Sequence, residues 1–417
     1  METDPHESAP TREGVLDAAT MRAQHRRLLL NLLWNEREAS RADLARRSGL
    51  SRSTVSAIVG DLLETGVVRE ARTGTSTGGR RPIVLELVAD AALLVGVELG
   101  ASHVTVVLTD LYGTVLGHRE VPCPVRDDPE CALNLVEDCI GGLLQARPGA
   151  RERIVGIGVA APSPIDPRAP GKLVPSILPK WADYDVVERL RARFGRPILV
   201  DNDANLGALA ELWWGGRAEN LVYLKVATGI GAGLIMDGRI LRGARGVAGE
   251  IGHTTIDPNG PLCMCGLRGC LTTLVGTHRL FESVRERRKE HPSSPLQTEP
   301  LTVDRLVDAA LEGDELACRV ISDAGRTLGI GVANLLNLVN PERLVIGGGI
   351  TRAGEILLEP LRHTVRTRAL AESIAHAEIE RSPLGELGIA VGAATLVLER
   401  ALAEPAMFDV VMKGART

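Results

Sequence analysis

Apolar and polar positions in the first ninety residues predict three short helices followed by two strands. Leucines recur at helical spacing near the start of this region, at positions 28, 29, 32 and 33. Serines precede the next two helices as N-caps, and Gly49 forms the tight turn between them. The expected helices cover 21–34, 41–47 and 51–65, and the expected strands cover 66–68 and 82–88, joined by a glycine-rich loop over 73–81. Three helices and a β-hairpin make a winged helix-turn-helix.

Beyond residue 90 the pattern changes to strands that alternate with helices. The expected strands cover 93–99, 104–108, 154–160, 198–200, 221–226, 232–236 and 343–346, and the expected helices cover 131–146, 186–194, 301–337 and 387–403. This alternation predicts an α/β body. We divide it into a small lobe, 91–203 plus 385–403, and a large lobe, 204–384. The winged helix-turn-helix occupies 21–90, and terminal tails are expected over 1–20 and 404–417.

Composition and charge restrict the function classes. The 417 residues are 44% hydrophobic, which suits two or three domains, and no apolar run reaches the length of a membrane span. The N-terminus lacks the apolar core of a signal peptide, so we expect a cytoplasmic protein. Segment 22–90 has a balance of +4 although the chain carries −5, which leaves −9 for the remainder. A basic head on an acidic body predicts a polyanion as the partner of the head.

The start of the third predicted helix is the candidate DNA reader. Recognition helices contact base edges through their N-terminal residues, and Arg, Ser and Thr side chains can reach those edges. The candidates are Arg52, Ser53, Thr54 and Ser56, with Arg80 and Arg81 at the wing. A winged helix that contacts protein in place of DNA is the alternative interpretation. Because such modules bind paired half-sites as two-fold dimers, we expect a homodimer or homotetramer.

One imidazole and three thiols within eighteen positions form the strongest local signal. His253, Cys263, Cys265 and Cys270 supply a full tetrahedral set for one Zn²⁺, with no position left for water. A closed site of this kind stabilises a loop and does no chemistry itself. The alternative is an accidental cluster of reduced cysteines. The other four cysteines are scattered in apolar or helical contexts and are expected to be reduced core thiols.

Two further motifs suggest a small-molecule site. The loop from Thr228 to Gly233 is rich enough in glycine to hold phosphate with backbone N–H groups, and the run Gly347–Gly349 after a strand is a weaker candidate. Asp203, at a strand-to-helix junction, could accept a proton from a sugar hydroxyl, and Asn202 offers a donor and an acceptor to the same sugar. A helix N-cap is an equally good interpretation of this Asn-Asp pair.

Together these motifs resemble the ROK family of repressors, open reading frames and kinases. The resemblance rests on Gly-x-x-Gly-x-x-Gly-Glu-Ile-Gly-His over 243–253, the cysteine spacing, Asn-Asp-Ala-Asn and Thr-Gly-Ile-Gly-x-Gly, and it covers about 20–400. It implies a two-lobed, actin-like body with a sugar between the lobes. It further implies that Asn202, Asp203, Glu250 and His253 line the sugar site. In that comparison Asp203 takes the place of the kinases' catalytic base, and His253 binds zinc through one ring nitrogen and faces the sugar with the other.

The chain departs from the family pattern at three places. The first phosphate motif of family kinases reads Asp-x-Gly-Gly-Thr, whereas the hairpin here reads Glu98-Leu-Gly-Ala-Ser-His103. A Cβ atom at Ala101 hinders close approach to a phosphate, so we expect no kinase activity. The family Glu after the last cysteine is replaced by Thr272, which removes one charge-assisted contact worth about 1.5–3 kcal/mol. Ser163 replaces a glycine of the family.

The sequence therefore predicts a zinc-containing transcriptional regulator with a double-stranded DNA operator. With the winged helix in front, the chain is similar to the xylose-, N-acetylglucosamine- and glucose-responsive regulators of the family. We expect a repressor of carbohydrate uptake or catabolism genes that responds to a sugar. A sugar kinase with an appended DNA-binding domain, and a regulator controlled by a protein partner without a sugar, are the alternatives.

Overall fold

A computed structural model describes residues 17–73, 83–169, 171–174, 177–216 and 218–409. The chain divides into two compact units. The first contains residues 1–91 together with 400–417, and the second contains residues 92–399. None of the helices in the described ranges has the length and apolar character needed to cross a bilayer.

The first unit contains the predicted three helices and β-hairpin. Its elements are α1 (Ala18–Glu36), β1 (Glu38–Ser40), α2 (Arg41–Ser48), α3 (Arg52–Glu64), β2 (Val68–Thr73) and β3 (Ile83–Leu87). The strands form one antiparallel sheet in the order β1-β3-β2. Strand β1 was not predicted, because three residues are too few to show a period. Most of the loop predicted over 73–81 lies outside the described residues.

Local capping explains where the helices of this unit begin. Ser40 and Asp43 form a reciprocal capping box at the start of α2, and the hydroxyl of Ser51 accepts from the N–H of Thr54 at the start of α3. Gly49 ends α2 with a left-handed φ of 71°. In α1 the buried side chains are Leu29, Leu30 and Leu33. Leu28, which was assigned to the apolar stripe, is 39% exposed.

Both predicted tails are too long. Helix α1 begins at Ala18 after its N-cap Asp17, and residues 1–16 lie outside the described residues. At the other end, Pro405–Phe408 forms a 3-10 turn in which Phe408 is only 2% exposed. The guanidinium of Arg26 donates to the carboxylate of Asp409 over 2.6 Å. Residues 404–409 are therefore part of the first unit, and 410–417 lie outside the described residues.

The second unit is built on two five-stranded sheets of the same design. In the first sheet the order is β6-β5-β4-β7-β8, and in the second it is β11-β10-β9-β12-β13. Each sheet has three antiparallel strands followed by two parallel ones. The strands are β4 (Leu93–Leu99), β5 (His103–Thr109), β6 (Val115–Pro122), β7 (Ile154–Ala161), β8 (Ile198–Asn202), β9 (Leu221–Val226), β10 (Ile230–Met236), β11 (Arg239–Ile240), β12 (Arg343–Gly347) and β13 (Glu378–Arg381).

Eleven described helices cover the sheets. They are α4 (Pro129–Gln145), α5 (Ala150–Arg153), α6 (Val186–Phe194), α7 (Asp203–Ala210), α8 (Leu271–Val275), α9 (Thr277–Arg287), α10 (Val303–Leu311), α11 (Glu315–Val339), α12 (Glu355–Arg368), α13 (Ala371–Ile374) and α14 (Gly388–Ala403). The helical stretch predicted over 301–337 is divided at Gly313, which has a φ of 89°. The expected α/β alternation is confirmed.

Glycines let α14 lie directly against the elements around α7. A Cβ atom on Gly392 would lie 1.8 Å from the carbonyl oxygen of Leu206, which belongs to α7. Gly96 of β4 and Gly158 of β7 make equally close approaches to the backbone of α14. Every residue of α7 is buried. The helix that begins with Asp203 is therefore fully buried and in close backbone contact with α14.

Candidate functional site

The cysteine loop brings its four predicted ligands together. The ligand atoms of His253, Cys263, Cys265 and Cys270 all lie within 4.8 Å of one another. Backbone hydrogen bonds shape the loop, because the N–H of Cys263 donates to Leu267 and the N–H of Gly266 donates to Cys263. A set of three thiols and one imidazole at these distances could hold a metal ion.

His253 presents its two ring nitrogens to different neighbours. Nδ1 lies 3.5 Å from Sγ of Cys263, on the side of the thiols. Nε2 lies 4.0 Å from Oε2 of Glu250. The backbone of this segment is held against β10, where a Cβ atom on Gly249 would lie 1.8 Å from the carbonyl oxygen of Ala232. The histidine therefore lies between the thiol cluster and the Glu250 carboxylate.

Asn202 forms the N-cap of α7. Its side-chain oxygen accepts from the N–H groups of Ala204 and Asn205, and its amide donates to the carbonyl of Ser163 over 3.3 Å. The helix-cap interpretation of Asn202 is therefore correct as far as the backbone is concerned. One amide hydrogen of Asn202 remains for another partner.

The carboxylate of Asp203 is engaged on both oxygens. Oδ1 accepts from the N–H of Ala204 over 2.7 Å, and Oδ2 accepts from Nζ of Lys225 over 2.5 Å. Asp203 itself is 6% exposed. The lysine was not identified from the sequence, although β9 carries no other charged residue. Its neighbours at odd positions in β9, Leu221 and Tyr223, pack with residues of α7, which places Lys225 on the same face.

Glu98, on the neighbouring sheet, completes a chain of charges. Its Oε1 lies 4.0 Å from Nζ of Lys225, and the residue is 4% exposed. Burial raises the pKa of Glu98 to about 7, against the opposing charge of Lys225. For Lys225 burial acts in the opposite direction, but the charges of Asp203 and Glu98 prevail and raise its pKa above the ordinary value. The lysine is thus charged and neutralised within the protein.

The hairpin over 98–103 is filled by one of its own side chains. The ring of His103 lies so close to Gly100 that a Cβ atom there would be 2.6 Å from Nε2. Nε2 is also 3.9 Å from Oε1 of Glu98. Burial lowers the pKa of His103, so the imidazole is neutral at pH 7. This ring therefore covers one face of Gly100.

The second glycine-rich loop, from Thr228 to Gly233, is open at its turn. Strand β10 begins at Ile230, two residues earlier than predicted, because Ile230 pairs with Val226 and Gly231 pairs with Lys225. The connecting turn is therefore short, and a Cβ atom on Gly229 would meet nothing within 4 Å. The third glycine run lines a cavity of about 170 Å³ whose lining includes Gly347, Gly348, Arg352, Arg381 and Ser382.

Glu250 lies in the electrostatic field of Asp203. Burial raises the pKa of Glu250, and the charge of Asp203 raises it further. Thr272, at the position of the family carboxylate, is half-buried in α8 two residues after Cys270. The four predicted sugar contacts therefore belong to one region, in which two acids are close enough to influence each other.

The N-terminal turn of α3 is exposed in the first unit. Arg52, Ser53 and Ser56 are exposed, whereas Thr54 is half-buried and its hydroxyl lies 2.8 Å from that of Ser51. Arg52 forms no ion pair within the described part of this unit. Most other described arginines of the unit are paired, including Arg22, Arg41, Arg46, Arg47, Arg69 and Arg72. Arg80 and Arg81 lie outside the described residues.

Comparison with known proteins agrees with this geometry. The ROK family model matches residues 94–400, and a model of winged helix-turn-helix DNA-binding domains matches residues 21–69. The chain belongs to the ROK family. The xylose repressor of Caldicellulosiruptor bescii is 32% identical to it over 384 residues, which cover 91% of this chain and 96% of that protein.

Two further proteins extend the comparison. The DNA-binding transcriptional dual regulator NagC of Escherichia coli K12 is 33% identical over 362 residues, or 86% of this chain and 88% of that regulator. The crystal structure of a ROK family transcriptional regulator, a homolog of the E. coli MLC protein, matches with a TM-score of 0.77 at 26% identity. That match covers 94% of this chain and 99% of the other. The predicted ROK fold with an N-terminal winged helix-turn-helix is confirmed.

Proposed function

We propose that this ROK protein is a DNA-binding transcriptional regulator, a repressor of carbohydrate uptake or catabolism genes that responds to a sugar. The observation that carries the proposal is the ion pair between Lys225 and Asp203. It occurs in a chain whose other unit is a winged helix-turn-helix with an exposed N-terminal turn on α3. The body thus binds without catalysis, and the head provides the output.

The ion pair argues against phosphoryl transfer. A general base must present a carboxylate oxygen that the substrate hydroxyl can reach. Here Nζ of Lys225 occupies Oδ2 of Asp203, and the ring of His103 covers Gly100 in the first phosphate hairpin. Kinase activity would need both groups to move away, so we infer that Asp203 is a vestigial base.

The effector site is proposed between the small lobe (91–203 plus 385–403) and the large lobe (204–384). Its contacts are Asn202, Asp203, Glu250 and His253, because the free edge of the imidazole faces Glu250. With Thr272 in place of a carboxylate, we expect binding that is weaker by about 1.5–3 kcal/mol than in family members that keep it. The sugar can act on the head only if it binds one conformation of the lobes better than the other.

We assign one structural Zn²⁺ per chain to the cysteine loop. Three thiolates and Nδ1 of His253 would complete its tetrahedron, and the Glu250 carboxylate beside Nε2 would orient the ring as a second partner. The metal thereby fixes the segment that carries Glu250. We also propose a homodimer or homotetramer, since paired half-sites require two heads.

The head is tested on operator fragments selected from genomic DNA by the protein itself. Fluorescence anisotropy at a fixed salt concentration should show specific binding, and Arg52→Ala should weaken it by about 1–3 kcal/mol, that is, roughly tenfold to a hundredfold. Arg319→Ala, an exposed and ion-paired arginine of α11, is the charge-matched control and should leave affinity unchanged. Failure to select any specific fragment at physiological salt would refute the DNA-binding function.

The effector is tested by calorimetry with xylose, N-acetylglucosamine and glucose, followed by anisotropy with the sugar that binds. Glu250→Gln should reduce sugar affinity, whereas Glu312→Gln, an exposed glutamate on the turn after α10, should not. If no sugar binds while operator binding is intact, control by a protein partner becomes the better interpretation.

A sugar kinase with a DNA-binding head is the second candidate, because the turn at Gly229 is still open to a phosphate. A coupled ADP-release assay over the same sugars separates the two. We expect no turnover above background. Turnover that Asp203→Asn abolishes would reverse the ranking.

A further inference from the structure

Two thiols outside the cysteine loop are in contact in the small lobe. Sγ of Cys123 lies 3.7 Å from Sγ of Cys131, with the thiol of Cys123 pointing at that of its neighbour. A disulfide needs about 2.05 Å between the sulfurs, so they must approach by roughly 1.7 Å. The thiol of Cys318 donates to the carbonyl of Ala310 over 3.4 Å, and among the described residues neither Cys318 nor Cys139 lies in hydrogen-bond contact with another thiol.

Both backbones that carry these thiols are held in place. The N–H of Cys123 donates to Ser102 over 3.0 Å, directly after the last residue of β6. The N–H of Cys131 donates to Asp128, the N-cap of α4. Between them, the carbonyl of Val125 accepts from the indole of Trp181 over 2.8 Å. The short distance between the thiols is therefore a fixed property of the fold.

We propose that Cys123 and Cys131 are a site of reversible oxidation, at which a peroxide converts the thiol pair into a disulfide. Cys131 is the first to react, because it is half-buried in the first turn of α4 and is the more accessible of the two thiols. Cys123 is 3% exposed, so a peroxide reaches it less readily.

The chemistry proceeds in two balanced steps. The Cys131 thiolate attacks one oxygen of hydrogen peroxide, which breaks the O–O bond, oxidises the sulfur to a sulfenic acid and releases one water. The thiol of Cys123 then attacks that sulfur, an S–S bond forms, and the hydroxyl leaves with the Cys123 proton as a second water. Burial raises the pKa of Cys123 to about 11, which disfavours a direct reaction of Cys123 with the peroxide. A dithiol reductant returns both groups to thiols.

The disulfide would join the end of β6 to the first turn of α4. Because Cys123 is hydrogen-bonded to Ser102, the link also fixes the hairpin over 98–103, where His103 covers Gly100. Oxidation is therefore expected to restrain the edge of the proposed effector site without touching any residue that contacts the sugar.

Trypsin makes the test direct, since Arg126 lies between the two cysteines. The full-length protein is treated with hydrogen peroxide, free thiols are blocked with N-ethylmaleimide, and the digest is mapped without reduction. The expected product is peptide 120–126 linked to peptide 127–151, at the summed mass less two hydrogens and plus one N-ethylmaleimide on Cys139. Dithiothreitol should separate the two. Recovery of Cys123 as its maleimide adduct from fully oxidised protein would overturn the proposal.

Three serine variants assign the bond. Peptide 127–151 also contains Cys139, so Cys139→Ser must still give the linked pair. Cys131→Ser must lose it, and Cys123→Ser must lose it while Cys131 is trapped by dimedone as a sulfenic acid. A link that disappears in Cys139→Ser, or one that joins Cys123 to the 263–270 loop, contradicts the assignment. Should a serine variant fail to fold, the wild-type map together with Cys139→Ser still decides.

Discussion

Two polar clusters of the body differ in how their members are satisfied. In the cysteine loop, three thiols and an imidazole converge within 4.8 Å and offer one another only weak sulfur contacts. In the cluster of Glu98, Lys225 and Asp203, a buried cation lies between two acids. The first cluster could hold an added metal ion, whereas the second cluster contains its own cation, Lys225. A kinase would need a metal ion, a phosphate and an unpaired base in this region. Here Lys225 of β9 forms an ion pair with Asp203, the residue at the position of that base.

The largest expected effect comes from removing a ligand of the loop. Cys265→Ser should lower bound zinc from about one equivalent per chain to near zero, and we expect the stability of the large lobe to fall by several kcal/mol. Elemental analysis and thermal unfolding measure both. Cys318→Ser, a half-buried thiol of α11, is the matched control and should keep the metal. A Cys265→Ser protein with unchanged stability and effector response would mean that the loop needs no metal.

Next in size is the removal of the internal cation. Lys225→Met leaves Asp203 and Glu98 without their partner, and breaking a buried pair in this way costs about 3–5 kcal/mol. Denaturant unfolding should therefore show a large loss, most of which the double variant Lys225→Met/Asp203→Asn recovers. Lys289→Met, at an exposed position, should be neutral. Equal losses in the single and double variants would show that the pairing does not matter.

The pH dependence of stability tests Glu98. Its pKa of about 7 lies above the ordinary glutamate value of 4.5, so between these values the folded protein holds a proton that the unfolded chain has released. Stability from this group is therefore complete below about pH 4.5 and is lost as the pH rises through 7, by up to about 3 kcal/mol. Unfolding free energies from pH 5 to 8 should decline, and Glu98→Gln should flatten the decline.

Glu312→Gln is the control for that measurement, since Glu312 is exposed on the turn after α10 and its charge is not among those that shift the pKa of Glu98. The slope should be the same in this variant as in the wild type. A wild-type protein whose stability instead rises with pH over this window would place Glu98 among ordinary, ionised carboxylates.

The smallest effect is expected from substitution of Thr272, measured as a change in sugar affinity. Thr272→Glu restores the carboxylate of the family pattern, and one charge-assisted hydrogen bond should improve sugar affinity by about 1.5–3 kcal/mol. Calorimetry with the sugar that binds the wild type measures the gain. Thr272→Gln keeps the size but lacks the charge, so it should give less. If both variants bind as weakly as the wild type, Thr272 does not face the sugar.

The same contrast explains what could be predicted from the sequence. The cysteine loop and the caps at Ser40 and Ser51 depend on residues that are near one another in the chain, so their spacing carries the signal. Lys225 lies 22 positions after Asp203 in the chain, and Glu98 belongs to the other sheet of the body. No local pattern in the sequence indicates that these three side chains are in contact. The one visible sign of Lys225 was a single charge in an otherwise apolar strand.

Helix prediction failed where burial is decided by tertiary packing. Leu28 and Leu30 both suit a helix, and only the partners of α1 determine that Leu30 is the buried one. Helix α12 was missed because Pro360 interrupts its pattern, although the structure keeps it helical from Glu355 to Arg368. Strand β1 gains its place by pairing with β3 and carries no periodicity of its own.

The last residues of the chain have a practical importance for anyone who shortens or tags the protein. The amide of Asn31 donates to the carbonyl of Leu402, Arg26 is held by Asp409, and Phe408 is buried in the same unit. A deletion from residue 400 onward would remove these partners from α1, some 370 positions earlier in the sequence. Expression designs that end where the α/β body ends would thus be expected to yield a head with a damaged first helix.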